Sequence, residues 1–298
     1  MAETQQVLVA GRQLSISNLD KVLYPATETT KGEVLHYYAS VADVLLPGLR
    51  GRPVTRVRWP HGIGGTSFFE KNLPAGAPSW LPRITMRSTG SRGGTDEVTY
   101  PLVDDLAALT YLANLAALEL HVPQWRQIDG EAANPDRLVI DLDPGSPAGL
   151  RECAEVALSV RARLAHLGIT RTVPVTSGSK GMQIYAALDG TATSDELRGI
   201  AREMAQAMTR EHPDLVVWRM TTSIRAGKVL FDWSQNTAAK TTIAPYSLRG
   251  RERPMVAAPR YWSEISRPAS LEQLDFEQVL QRLETDGDLF TSELLTKP

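Results

Sequence analysis

The hydrophobic pattern of the chain is clearest at Arg137-Leu-Val-Ile-Asp-Leu-Asp-Pro144. Leu138, Val139 and Ile140 form a short apolar run rich in β-branched residues, and Pro144 with Gly145 stops it. That pattern predicts a buried strand ending in a turn. Downstream the period lengthens: a helix predicted over 148–167 carries Leu150, Cys153, Val156, Ala157, Val160 and Leu164 on one face. Strands are predicted at 172–177 and 182–188. Thr193-Ser-Asp-Glu196 has capping-box spacing and predicts a helix to about residue 211. Short strands near 215–218 and 228–233 close the unit. The order β-α-β-β-α-β belongs to a split-βαβ, ferredoxin-like sheet, whose first and last strands are commonly central neighbours.

Upstream, residues 1–13 read as a loose arm or an edge strand. Thr30-Lys-Gly-Glu33 is another capping box, predicting a helix to about residue 46 with Val34, Tyr37, Tyr38, Val41 and Leu45 buried. Residues 52–59 alternate as a strand with Arg56 and Arg58 on one face, followed by the glycine loop Gly62-Ile-Gly-Gly65 and then Ser67-Phe-Phe-Glu-Lys71. Residues 87–95 suggest a mobile basic loop between strands. The apolar stretch 104–120 predicts a helix with His121 at its C-terminal end. The last forty residues read as a linker, a helix near 271–283 and a frayed tail, suited to packing rather than chemistry.

Composition narrows this picture. A chain of 298 residues, 42% hydrophobic and 22% charged, can bury a large core as one domain or two closely joined modules. No apolar run is long enough to span a membrane and the first residues lack a signal-peptide pattern, so the cytoplasm is the default location. Cys153 stands alone, which excludes a disulfide framework and favours a core thiol over a nucleophile. A net charge of −2 argues against coating nucleic acid through bulk charge. Arg50, Arg52, Arg56, Arg58 and Lys71 cluster early, however, and Lys240, Arg249, Arg251 and Arg253 late. Such patches suit a protein that grips a polyanion at one place; scattered surface arginines are the plainer alternative.

The candidate chemistry starts with Asp141 and Asp143, which fall on one face of the predicted strand. Two carboxylates there repel, and a hard divalent ion such as Mg²⁺ or Mn²⁺ relieves them; a solvated pair at a strand end is the alternative. Asp232 adds a third acid inside the apolar strand Lys228-Val-Leu-Phe-Asp-Trp. Three carboxylates on neighbouring strands suit two metal ions and phosphoryl or nucleotidyl transfer. Ser177-Gly-Ser-Lys-Gly181 reads as a phosphate cradle, although Ser-Gly-Ser is also a common hairpin. Lys240 and Arg249 suit triphosphate oxygens. Adjacent Phe68 and Phe69 point to opposite strand faces, so one ring is open to stack on bases unless both enter the core. Taken singly, His121 is a core or capping histidine, and Lys21 and Lys31 are surface lysines.

Together these motifs resemble those of the archaeo-eukaryotic primase superfamily. Within it the chain is similar to the polymerase domain of bacterial ATP-dependent DNA ligase D and its stand-alone relatives. The likeness runs from about residue 14 to about residue 259. It rests on Lys21-Val-Leu-Tyr-Pro25, Phe68-Phe-Glu-Lys71, His121-Val-Pro-Gln-Trp125, Asp141-Leu-Asp143 and Ser177-Gly-Ser-Lys-Gly181. Phe231-Asp-Trp-Ser-Gln-Asn236 and Thr241-Thr-Ile-Ala-Pro-Tyr-Ser-Leu-Arg249 complete it. The resemblance implies an α+β fold of the primase type. An N-terminal α/β module with DNA-binding elements would occupy 1–125, the catalytic RRM-like module 126–260, and a helix and tail 261–298.

It further implies a nucleotidyltransferase of non-homologous end joining that extends a primer, favours ribonucleotides and uses two Mn²⁺ or Mg²⁺ ions. Its partners would be DNA with a gap or break bearing a 5′-phosphate, an NTP or dNTP, ligase and nuclease domains, and a Ku-type end-binding protein, at breaks in the bacterial nucleoid. By the same likeness Asp141, Asp143 and Asp232 hold the metals. His121, Ser177, Lys180, Gln183, Lys240 and Arg249 face the nucleotide, with Gln235 and Asn18 as weaker members. Lys21 and Lys31 hold the 5′-phosphate, helped by the helix N-terminus beginning near Lys31, and Phe68 and Phe69 pack on the template. The chain departs from the family at Met182-Gln183, where a histidine is common, and at Val57, where a close relative has lysine. Asp-x-Asp at a strand end also marks haloacid-dehalogenase-like phosphohydrolases, but Pro144 replaces the usual Thr or Val. A non-catalytic scaffold for DNA ends would keep the lysines and lose the carboxylates, and all three carboxylates are present.

Overall fold

Both faces of the Arg137–Pro144 strand are covered, which is why its sequence reads as a nearly unbroken apolar run. The structure is a computed structural model that describes residues 4–73, 76–89 and 95–294. Leu138, Ile140 and Leu142 enter a core with Met182, Ile184, Val229 and Phe231 under the helices Leu150–His166 and Ser194–Glu211. Val139 faces the opposite way, into a core that holds Val173, Val175 and Tyr185 together with Tyr37, Tyr38, Leu118 and Leu120. The sheet between these cores has six strands, ordered Val216–Val217, Val229–Asp232, Arg137–Pro144, Met182–Ala187, Thr172–Thr176 and Ala258–Pro259. Only the first pair is parallel. The inner strands follow the ferredoxin-like order, so the predicted α+β fold is observed and the first and last strands of the unit are neighbours.

Both N-terminal capping boxes form as the sequence predicts. Thr30 Oγ1 accepts the Glu33 N–H at 3.2 Å, and Thr193 Oγ1 accepts the Glu196 N–H at 3.3 Å. The first helix, Lys31–Ser40, breaks at Val41 and continues as Ala42–Leu49, yet Val34, Tyr37, Tyr38, Val41 and Leu45 are all buried. The N-terminal arm is a hairpin, Thr4–Val9 against Arg12–Ser17, turned by Ala10 and Gly11 at φ 45° and 75°.

Other expectations need correction. The helix predicted over 104–120 spans only Leu106–Asn114; Ala116, at φ 58°, ends it, and Ala117–Val122 is a strand. Ala117, Leu118, Glu119 and Leu120 are all buried, so the run lacks the alternation that separates strand from helix. His121 is therefore a strand residue. The strand belongs to a four-stranded antiparallel sheet ordered Thr242–Ile243, Ala117–Val122, Thr55–Arg58 and Phe68–Glu70. At the edges of the basic segment expected at 87–95 lie two paired strands, Arg83–Thr89 and Thr95–Pro101; residues 90–94 lie outside the described residues, as do 295–298 of the expected tail. The helix expected near 271–283 is Phe276–Asp286, and a short helix, Thr291–Leu294, follows it in the expected tail.

The early arginines do not form a surface patch. Arg52 and Arg56 are fully buried, paired at 2.5 Å with Asp136 and Glu70 respectively, and Arg58 also reaches Glu70 at 2.9 Å. Cys153 is the expected core thiol: burial and the nearby Asp143 and Asp141 push it well up. No helix among the described residues is long and apolar enough to cross a membrane.

Candidate active site

The two sheets meet in a cleft of about 220 Å³ at the end of the Arg137–Pro144 strand. His121, Asp141, Asp143, Ser177, Lys180, Gln183, Gln235 and Arg249 line it, with Ser179, Thr241, Thr242 and Arg251. Ladder register explains the convergence. Asp141 lies opposite Asp232 on one neighbouring strand and opposite Gln183 on the other. Gln183 Nε2 donates to Asp141 Oδ1 at 3.1 Å. Asp232 Oδ1 accepts from the Ser234 N–H at 2.9 Å and its hydroxyl at 2.5 Å, and Oδ2 from Gln235 Nε2 at 2.8 Å. Half-exposed Asp143 lies 3.5 Å from Arg225 Nη2.

Burial, followed by the charges of Asp232 and Asp143, pushes the Asp141 carboxyl up to about 7, against the opposing Gln183 hydrogen bond and Arg249. Among the described residues no three or more His, Cys, Asp or Glu side chains are gathered as a metal cluster, because Asp143 leans to Arg225 and Asp232 to Ser234 and Gln235. The fit to a divalent cation lies in register and donor chemistry: adjacent, mutually repelling carboxylates, all hard oxygen donors.

The 177–181 turn closes through the Ser177 N–H to the Gly181 carbonyl at 3.0 Å. Gln273, in the segment expected only to pack, brackets it. Its Oε1 accepts the Gly178 N–H at 2.7 Å and its Nε2 donates to the Gly181 carbonyl at 2.9 Å. A Cβ on Gly181 would lie 2.0 Å from the Leu142 carbonyl oxygen, so glycine lets the turn press against the strand between Asp141 and Asp143. Lys180 lines the cleft with no ion pair among the described residues.

Glu119 organises the opposite wall and was not singled out by the sequence. Its Oε2 lies 2.8 Å from His121 Nε2; its Oε1 accepts the Gly250 N–H at 3.0 Å and sits 3.3 Å from Arg249 Nε. Burial would raise this carboxyl, but His121, Arg249 and the Gly250 N–H outweigh it and hold it at about 2. An acid inside the apolar run Leu118-Glu-Leu120 was the available signal, since a buried charge needs partners.

Other predicted residues lie apart. Lys240 is exposed beside the site and donates to Ser234 Oγ. Asn18 does not line that cleft: at φ 55° it borders a separate hollow of about 440 Å³ with Asp20 and Lys21, apart from the other residues expected at the nucleotide. Lys21 Nζ donates to the Pro60 carbonyl and Lys31 Nζ to the Ser17 carbonyl, each at 2.5 Å. Burial, and then the neighbouring Lys21, lowers the Lys31 ammonium to about 8, and among the described residues neither cation forms an ion pair. The helix N-terminus adds no open donor there. The Lys31, Gly32 and Glu33 N–H groups go to the Lys21 carbonyl, the Leu19 carbonyl and Thr30 Oγ1. Phe68 and Phe69, on the edge strand of their sheet, are both exposed, at 46% and 62%.

A ferredoxin-like sheet with paired acids facing a phosphate-type turn defines a nucleotidyl-transfer class of site. The family described as the LigD primase-polymerase domain matches residues 30–290. The chain is 50% identical over 285 residues to the multifunctional non-homologous end joining DNA repair protein LigD of Mycobacterium tuberculosis, covering 93% of this chain and 36% of that protein. It is 34% identical over 276 residues to the bifunctional LigD of Bacillus subtilis, covering 92% and 43% respectively. Among solved structures, the polymerase domain of Mycobacterium tuberculosis ligase D in complex with DNA superposes with a TM-score of 0.90 at 47% identity, over 96% of this chain and 99% of that one. The chain belongs to the LigD primase-polymerase domain family, enzymes of the DNA-directed polymerase, nucleotidyltransferase type. It spans little more than a third of the mycobacterial relatives.

Proposed function

We propose that this chain extends a primer on template DNA at gaps and broken ends in non-homologous end joining, adding ribonucleotides in preference to deoxyribonucleotides. The observation carrying this reading is the register that sets Asp141 beside Asp232, with Asp141 and Asp143 lining one cleft with the 177–181 turn. In the proposal Asp141, Asp143 and Asp232 hold two Mn²⁺ or Mg²⁺ ions. When bound, the ions activate the primer hydroxyl and neutralise charge on the triphosphate. Ser177, Lys180, Arg249 and His121 grip the phosphates and sugar; Arg249 and His121 are held by Glu119, and the turn by Gln273. Lys240 and Gln235 stand at the Asp232 edge of the site. The exposed Phe68 and Phe69 rings offer stacking surface to template bases, and Lys21 and Lys31 attract a terminal 5′-phosphate.

The mycobacterial and Bacillus relatives are named as end-joining proteins, and the solved neighbour holds DNA. Ligase and nuclease domains, and a Ku-type protein at the break in the bacterial cytoplasm, are therefore the proposed partners. The test is extension on a gapped duplex with a 5′-phosphate, comparing ribo- with deoxyribonucleotides and Mn²⁺ with Mg²⁺. No extension with either metal refutes the activity; better use of deoxyribonucleotides refutes the sugar preference.

A further inference from the structure

Asp141 has unlike neighbours across its ladder, Asp232 on one side and Gln183 on the other. An acid on both sides would leave a buried carboxylate between two like charges. The amide instead supplies a donor that carries no charge. Gln183 is 5% exposed, and Val175 lies opposite it on its far side. Its Nε2 donates to Asp141 Oδ1 at 3.1 Å. The Tyr185 hydroxyl lies 3.1 Å from Gln183 Oε1 and 2.8 Å from the Ile243 carbonyl oxygen, and shares its one proton between them. The two partners together set the amide's direction, because the reversed amide would point Oε1 at the Asp141 carboxylate and Nε2 at the Tyr185 donor.

Tyr185 is itself fixed. It is fully buried, meets Phe290 edge-on at 5.2 Å between centroids, and has the Arg137 guanidinium 5.4 Å from its ring centre. Tyr185 and Gln183 stand opposite Val139 and Asp141, so one ladder carries a rigid core anchor to the cleft.

We propose that Gln183 is a positioning residue for Asp141, not a ligand of the nucleotide: locked by Tyr185, it holds Oδ1 and so aims the rest of the carboxylate at the ions. The inference rests on the metal role proposed above for Asp141. It separates Gln183 from Lys180 and Arg249, which line the same cleft with cationic groups.

The test uses Mn²⁺ alone as probe, followed through the electron paramagnetic resonance signal of the unbound ion, without nucleotide or DNA. Parent, Gln183→Leu, Tyr185→Phe and an Asp141→Ala control are compared, with melting curves to verify folding. Extension kinetics follow at saturating Mn²⁺. We expect Gln183→Leu to weaken Mn²⁺ binding about 10-fold, a usual effect of removing a group that orients a metal ligand. Tyr185→Phe, which cannot touch a nucleotide, shifts it the same way by about threefold, while the nucleotide KM stays within about twofold and kcat falls in both. Mn²⁺ binding at the parent level in either variant overturns the proposal, as does a nucleotide KM raised about 10-fold in Gln183→Leu. If the parent binds no Mn²⁺, or binds it no better than Asp141→Ala, the metal reading itself fails, which is a different result.

Discussion

Asp136 and Asp141 bracket the apolar part of one strand and are driven in opposite directions. Asp136 accepts from Arg52 Nη2 at 2.5 Å and Arg126 Nε at 2.8 Å, beside Arg137. Burial would raise its carboxyl, but Arg52 and Arg137 outweigh that and hold it at about 2. Asp141 has acids for neighbours, and burial with Asp232 and Asp143 raises it to about 7. The first end is charge already compensated by the fold, where its value is structural. The second is charge the fold leaves open for something else to neutralise, the pattern expected of a functional site. Arg52 and Arg56 belong with the first kind, Lys21 and Lys31 with the second.

The strongest way to break this division is to delete one acid from each end. Asp141→Ala is expected to lower nucleotide addition at least about 10³-fold with the fold intact, as loss of a metal-holding carboxylate requires. Extension within about 10-fold of parent would remove Asp141 from the chemistry. Asp136→Ala is expected to do the converse, costing about 2–3 kcal/mol of stability in denaturant titrations. That is below the roughly 3–5 kcal/mol for breaking a fully buried pair, because Asp136 keeps some solvent contact. Per folded molecule, extension should be unchanged; a specific loss would show that the two ends are one machine.

A smaller effect tests the cationic members of the open class. Lys21→Ala with Lys31→Ala is expected to erase a preference of about 1–3 kcal/mol for gapped DNA with a 5′-phosphate over a 5′-hydroxyl, the usual strength of charge-assisted hydrogen bonds. Binding titrations at matched salt read it, since phosphate contacts are salt-dependent. A double variant that discriminates as well as the parent would make these lysines structural, serving only Pro60 and Ser17.

The division between compensated and open charge was only half legible in the sequence. The catalytic sheet was readable because each element carries its own signal: capping boxes at Thr30 and Thr193, apolar runs at Leu138 and Val229, Pro144 as a stop. The side of the strand on which Asp141 and Asp143 lie followed from alternation alone. What could not be read was pairing at long range. Arg52 looks like a surface cation until Asp136 is brought 84 residues back to meet it. Glu119 and Gln273 were passed over because their partners, Arg249 and the 177–181 turn, are remote in sequence. Residues 117–120 look helical in the sequence because a strand buried on both faces has no period.

The finest test uses pH to sharpen the Asp136–Asp141 contrast. A carboxyl raised from 3.8 to about 7 keeps its proton in the folded state while the unfolded chain has lost it. Between those values the folded state binds more protons, so its stability falls as pH rises, and the penalty is complete above about pH 7. Asp136 acts in the other window: lowered from 3.8 to about 2, it contributes stability above 3.8 that is lost as pH falls toward 2. Asp141→Asn removes the first penalty and preserves an acceptor for Gln183 Nε2. In metal-free buffer it should make the protein more stable by about 1 kcal/mol at about pH 8, after allowance for solvent in the open cleft, and by much less at about pH 5. Denaturant titrations at both pH values, with a chelator and matched ionic strength, measure the difference. If the variant is no more stable at the higher pH, Asp141 is compensated within the fold, as Asp136 is, and its charge is not held open for an ion. If the gain is present in chelator and vanishes when Mn²⁺ is added to the parent, the ion supplies the compensation that the fold withholds.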